Sequence, residues 1–270
     1  MKLQVLVATM RQTDFSLVEK MNIQCDSIIA NQHDGYSVDE LITAHGTVKM
    51  ISTPTRGVGL NRNIALMASE ADILLFADDD IIYCDGALSS VKQAFDDLKE
   101  ADVIIFSIDL TRNGEIFEKR HLHTKRMNFH NSLKYGTYVL AIRRSALLLK
   151  NIKFTHLFGG GCIYGSGEDS LFIRDCFKAG LKVYSHSCIL GKCAKDSSSW
   201  FRGYNKKYLY DKGAWIACAF PKFKHLIKWY FVCKFSKMSQ ISFVKTLKII
   251  NKGIRGFKTL TTYDQIKESI

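Results

Sequence analysis

Three consecutive aspartates, Asp78, Asp79 and Asp80, close the apolar run DILLFA at residues 72–77. Adjacent carboxylates repel one another, and burying an unpaired charge is costly. Acids in such a place therefore imply a cation, a pairing partner or open water. In extended chain Asp78 and Asp80 share a face, and Asp79 is expected to point the other way. Two carboxylates on one face suit Mg²⁺ or Mn²⁺, which takes one or two protein carboxylates and completes its shell with phosphate oxygens and water. The plain alternative is a solvated turn. A second focus is GSGEDSLFIRDCFKAG at residues 165–180, where Glu168 and Asp169 open a helix after a glycine-rich loop. Acids are favoured in a first helical turn by the helix dipole, so the pair has a purely structural reading. Its chemical reading is a carboxylate turned into a cleft as general base.

The elements that must position these acids follow from periodicity. Apolar runs at 3–8, 26–31, 47–51, 72–77, 102–107, 137–142 and 181–186 read as strands. Helical spacing occupies the region 60–70, a stretch at 86–99 with Asp85 expected as its N-cap, and 167–180. Strands alternating with helices imply crossover connections and a mostly parallel sheet in an α/β fold. Ligands of such sheets bind outside the carboxyl ends of the strands. ATMRQ after the first strand, NQHDG after the second and ADDD after the fourth all land on that edge.

The 270 residues are 47% hydrophobic and 24% charged, an ordinary globular balance. Eight cysteines are scattered without a CxxC pair, so no zinc or redox framework is readable. The N-terminal MKLQVLVATMRQTD offers a strand-length apolar stretch and no small-residue cleavage site, so a cytoplasmic protein with reduced thiols is expected. No apolar run reaches the length of a membrane-spanning helix. The net charge of +12 is unevenly placed. Residues 1–200 balance 23 Lys and Arg against 23 Asp and Glu, and residues 201–270 hold 15 basic residues against Asp211, Asp264 and Glu268.

RGVGLNRNIALMASEADILLFADDDI, followed some eighty residues later by GGGCIYGSGEDSLFIRDC, resembles the family 2 glycosyltransferases over about residues 2–215, in particular bacterial enzymes that build capsule or lipopolysaccharide. The resemblance implies a GT-A fold, with a mostly parallel central sheet carrying helices on both faces, in residues 1–202. Residues 203–270 would add a basic amphipathic helical extension. It further implies that Thr9 and Asp34 line the nucleotide pocket and that Arg62 supports the nucleotide and the acids. Asp78 and Asp80 would form the DXD motif on Mg²⁺ or Mn²⁺, with Asp80 the direct ligand and Asp79 beside the donor. Asp169 would be the catalytic base, and Trp200 and Arg202 in SSSWFRGYNKK would close over the donor diphosphate. The sequence departs from the family in its first loop, VATMRQTD, and in NQHDG at the second. It shows no Gln-x-x-Arg-Trp motif, so single addition is expected rather than polymerisation.

The resemblance implies inverting transfer from a nucleotide-diphosphate sugar, a UDP-sugar, to a glycan or lipid-linked acceptor. A nucleotidyltransferase would want a glycine-rich basic loop after the first strand, which VATMRQTD lacks. A non-catalytic sugar-nucleotide-binding protein stays open. His186 reads as structural, and His121, His123 and His130 as part of an acceptor-side loop rather than a zinc site. Residues 203–235 interleave Lys with Trp, Tyr and Phe, which suits either an anionic lipid surface or packing on the catalytic domain. Nucleic acid is not an expected partner, because no recognised module accompanies the charge.

Overall fold

The computed structural model describes residues 1–194 and 203–269. The chain forms two compact units, one of Met1–Thr155 and Asp169–Ser197, the other of His156–Glu168 and Ser198–Ile270. Residues 156–168 thus belong with the C-terminal helices.

In the first unit, β1 (Leu3–Met10), β2 (Ser27–Gln32), β4 (Gly46–Thr53) and β5 (Ile73–Asp78) run parallel as neighbours in the order β4-β2-β1-β5. β1, β2 and β5 are almost wholly buried, with aliphatic runs in β1 and β5, the pattern of strands covered on both faces. α1 (Ser16–Lys20) and α2 (Val58–Ala68) supply two of the crossovers. β3 (Ser37–Thr43) pairs antiparallel with β4 at the sheet edge, and every residue of it but Thr43 is exposed.

Beyond β5 the sheet changes character. β10 (Leu140–Arg143) is inserted antiparallel between β5 and β7 (Val103–Arg112), and β7 pairs parallel with β11 (Val183–Ala194). β6 (Ile81–Tyr83) closes the order β3-β4-β2-β1-β5-β10-β7-β11-β6. β8 (Glu115–Arg120) folds back on β7 and β9 (Lys125–Arg126) on β11, giving strand structure to the polar stretch after residue 108. The expected strand at 137–142 is a single 3₁₀ turn, Thr137–Val139, leading into β10.

α3 (Ala87–Asp97) does not use Asp85 as its N-cap. Gly86 takes that position in the left-handed region at φ 75°, and Asp85 instead accepts hydrogen bonds from the amides of Asn22 and Gln24. After α4 (Phe129–Ser132) and α5 (Arg144–Lys150), α6 (Glu168–Lys178) precedes β11.

The second unit contains α7 (Lys206–Ala219), α8 (Lys224–Met238), α9 (Phe243–Thr259) and the short α10 (Tyr263–Ile266). α7 and α9 approach closely through glycines. A Cβ at Gly213 would stand 2.3 Å from the Ile250 carbonyl, and one at Gly253 would stand 2.0 Å from that of Tyr210. Most of α7, including Trp215, is buried, so this helix is core and presents no amphipathic face for a lipid surface. Among the described residues, no helix is long and apolar enough to cross a membrane.

Candidate active site

The parallel register of β1 and β5 sets Ala8 opposite Asp78, which carries Thr9 to the level of Asp79. The Thr9 hydroxyl donates to Asp79 Oδ2 at 2.5 Å and accepts from Gln12 Nε2 at 3.0 Å. Thr9 follows Ala8 in β1 and projects to the other face, so the bond sets Asp79 on the side opposite Asp78, as alternation predicts. The strand ends at Asp78, and Asp79 and Asp80 lie on the turn that follows. Burial pushes the Asp79 carboxyl up, with the charges of Asp78 and Asp80 adding to the shift and the Thr9 hydrogen bond opposing it.

A raised native pKa on a carboxylate makes the folded protein less stable as pH climbs from the unfolded value of about 3.9 through the native one. Asp79→Asn keeps an acceptor for Thr9 and removes that penalty. Its melting temperature should exceed the wild type's at pH 7, by a margin that shrinks toward zero near about pH 4. A gain of the same size at both pH values would contradict this origin.

Arg62 organises the centre. It is 3% exposed on α2, and its guanidinium carbon lies 5.4 Å from the Phe154 ring, which stacks on Phe172 at 4.0 Å. Its Nη2 donates to Asp78 Oδ1 at 2.7 Å and its Nη1 to Asp169 Oδ1 at 2.8 Å. One flat guanidinium therefore bridges the acid at the end of β5 and the acid in the first turn of α6, a use that matches its fixed fork of donors. The helix is held close beneath. Asn63 exchanges two hydrogen bonds with the Phe154 backbone, and at Gly59 any Cβ would meet the Thr155 carbonyl at 2.3 Å.

Asp169 Oδ1 also accepts from the buried Thr137 hydroxyl at 2.6 Å. Its other oxygen, Oδ2, lies beside Gly136, where an added Cβ would stand 3.4 Å away. Thr137 carries no motif and was not a sequence candidate, because its approach to Asp169 depends on the antiparallel insertion of β10. Other buried polar residues beneath the sheet edge were also missed. Asn61 Nδ2 donates to the carbonyls of Thr9 and Ala30, Gln32 Oε1 accepts from Gly57 N, and Asn31 bonds Gln12 and Ser52. Amides placed inside apolar strands and helices were the available signal, since a buried amide must find partners.

Asp34 is not brought into this network. Its side chain is 95% exposed and pairs with Arg56 at 2.6 Å. Asp80 lies on the turn after β5, with Cys193 Sγ 3.4 Å from its Oδ1 and its carbonyl accepting from Ala194 N. Trp200 and Arg202 lie outside the described residues. His186 is held structurally, its Nδ1 accepting from Cys188 N and its ring 5.6 Å from Phe106, while burial pushes its pKa down. His121 pairs with Asp109 at 2.7 Å.

A divalent cation fits the donor set by its chemistry. Asp78 and Asp80 offer hard carboxylate oxygens, and one oxygen of Asp78 is already committed to Arg62. Among the described residues there is no group of three or more His, Cys, Asp or Glu able to hold a metal.

The sequence model described as "Glycosyl transferase family 2" matches residues 25–165, just over half of the chain. The chain belongs to glycosyltransferase family 2. This glycosyltransferase is similar in structure to Staphylococcus aureus TarS. Against TarS 1–349 in complex with UDP-GlcNAc the TM-score is 0.59 at 15% identity, covering 98% of this chain and 75% of that one. Against TarS 1–349 alone it is 0.60 at 15% identity, covering 96% and 72%. Both likenesses support the GT-A fold expected from the resemblance. No curated protein matches the sequence. The family match contains Arg62, Asp78, Asp79, Asp80 and Thr137 and ends before Asp169.

Proposed function

We propose that this glycosyltransferase moves a sugar, with inversion, from a uridine diphosphate donor to a hydroxyl of a saccharide or lipid-linked acceptor. The setting we assign is surface-glycan assembly in the cytoplasm. The observation that carries the reading is the Arg62 bridge. A single buried guanidinium ties Asp78, an acid of the strand-end triad, to Asp169 at the start of α6. Donor-side and acceptor-side acids then belong to one constellation. The likeness to TarS, which holds UDP-GlcNAc and UDP in its structures, supports a uridine nucleotide.

In this reading the acceptor oxygen attacks the anomeric carbon as the bond from that carbon to the diphosphate breaks. The acceptor proton goes to Asp169 Oδ2, since Oδ1 is engaged by Arg62 and Thr137. Direct displacement inverts the anomeric centre. Arg62 and Thr137 fix the base in place through their hydrogen bonds to Oδ1. Thr9 and Asp79 form the wall of the nucleotide pocket, and Gln12 steadies Thr9. Asp80 and Asp78 would hold Mg²⁺ or Mn²⁺, which when bound neutralises charge growing on the departing diphosphate.

A panel of nucleotide sugars, read by thermal stabilisation and by nucleotide release with and without Mn²⁺, tests the reading. A uridine-linked sugar should raise the melting temperature in the presence of Mn²⁺, and Asp80→Asn should lose most of that gain and most turnover. Activity of Asp80→Asn unaltered by chelation would remove the metal assignment.

A further inference from the structure

The second unit carries a surface whose two properties rarely occur together. Between Asp211 and Asp264 the chain has eleven Lys and Arg and no Asp or Glu. Along α8, Val232 and Phe235 turn inward, and Lys228 bonds Asn251 of α9. At 100° per residue, Phe223, Leu226, Tyr230, Cys233, Lys234 and Lys237 fall on the opposite side. All six are exposed, Leu226 at 70% and Tyr230 at 62%. Trp229 stacks on Phe243 at 6.4 Å along one edge of this stripe, and Val244 beside it is 60% exposed. A helix that is apolar on both faces is normally buried on both, and an exposed apolar patch of this kind marks a contact surface.

We propose that the outward face of α8, with the start of α9, docks on an anionic lipid surface. Charge complementarity selects the occupant. A second copy meeting the same face would bring cations against cations. A nucleic acid would satisfy the lysines and leave Phe223, Leu226 and Val244 without a role. A lipid interface uses both halves: the aromatic and aliphatic side chains enter the headgroup boundary, and Lys222, Lys234, Lys237 and Lys245 reach the phosphates. Trp229 and Tyr230 are the residue types such interfaces favour. The lysine stems add apolar length while their ammonium groups stay at the polar level. The face is independent of the reaction the site performs, because none of its residues belongs to the Arg62 network.

Vesicle flotation of the full chain tests it. Phosphatidylglycerol-containing vesicles should carry the protein at low salt, and pure phosphatidylcholine vesicles should carry several-fold less. Binding should weaken several-fold when salt rises from about 50 mM to about 300 mM, since surface charge is screened over that range. Leu226→Asp with Tyr230→Asp, and separately Lys234→Gln with Lys237→Gln, should each reduce binding. Both pairs are exposed, so an unchanged melting temperature certifies that the variants are folded. No flotation at low salt, equal binding to both vesicle types, or binding retained in both variants would overturn the proposal. So would a wild type that dimerises through this face or prefers DNA to vesicles at equal phosphate concentration.

Discussion

Asp169→Asn should lower turnover by about 10²- to 10⁴-fold, the span over which a positioned general base contributes, while nucleotide affinity changes little. The substitution is isosteric. An amide oxygen placed at Oδ1 still accepts from Arg62 and Thr137, so the architecture of the site survives. What is lost is the ability to take the acceptor proton. A loss in kcat and in kcat/KM for the acceptor, with an unchanged dissociation constant for the nucleotide, is the expected signature. Single-turnover transfer and equilibrium titration measure the two parts separately. If Asp169→Asn instead abolished nucleotide binding, the residue would belong to the donor half of the site and another base would be required.

Arg62→Met should cost both stability and activity. Removing one partner of a buried ion pair leaves the other charge uncompensated, at about 3–5 kcal/mol. Arg62 is itself buried, whereas the Asp78 and Asp169 side chains keep 29% and 30% exposure, which places the expected loss near the lower end of that range. Arg62→Lys should recover little, since a single ammonium cannot reproduce two hydrogen bonds directed along a flat fork. Adding Asp78→Asn to Arg62→Met should restore part of the lost stability by removing one stranded charge, a coupling that a double-mutant cycle reads directly. Urea denaturation gives the stabilities. An Arg62→Met protein as stable and active as the wild type would mean that the bridge holds nothing together.

The parallel half of the sheet was legible from its apolar runs, which placed the three aspartates at a strand end, while Thr9 was named by the family resemblance. Glu168 and Asp169 stood out as acids opening a helix after a glycine-rich loop, the resemblance chose Asp169 and named Arg62, and the meeting of Arg62 and Asp169 across 107 positions of sequence is supplied by the fold. Alternation predicted the side taken by Asp79, and its partner Thr9 is set there by the register of β1 on β5. β3 went unread because SVDELIT is a solvent-facing edge strand with almost no buried residue to give it a period. The capping role expected of Asp85 fell to Gly86, since Asp85 bonds Asn22 and Gln24, residues distant in sequence. Thr137 could not be found locally at all. The exposed stripe of α8 was hidden within a longer basic segment, and only the burial of α7 separates core from surface there.

The central claim is that the strand-end acids serve the nucleotide diphosphate while Asp169 serves the acceptor. Calorimetric titration with UDP, with and without Mn²⁺, on wild type, Asp80→Asn and Asp169→Asn tests it most directly. The wild type should bind UDP in a Mn²⁺-dependent way, Asp80→Asn should lose that binding and Asp169→Asn should retain it. Equal binding by Asp80→Asn and wild type in the presence of Mn²⁺ would contradict it.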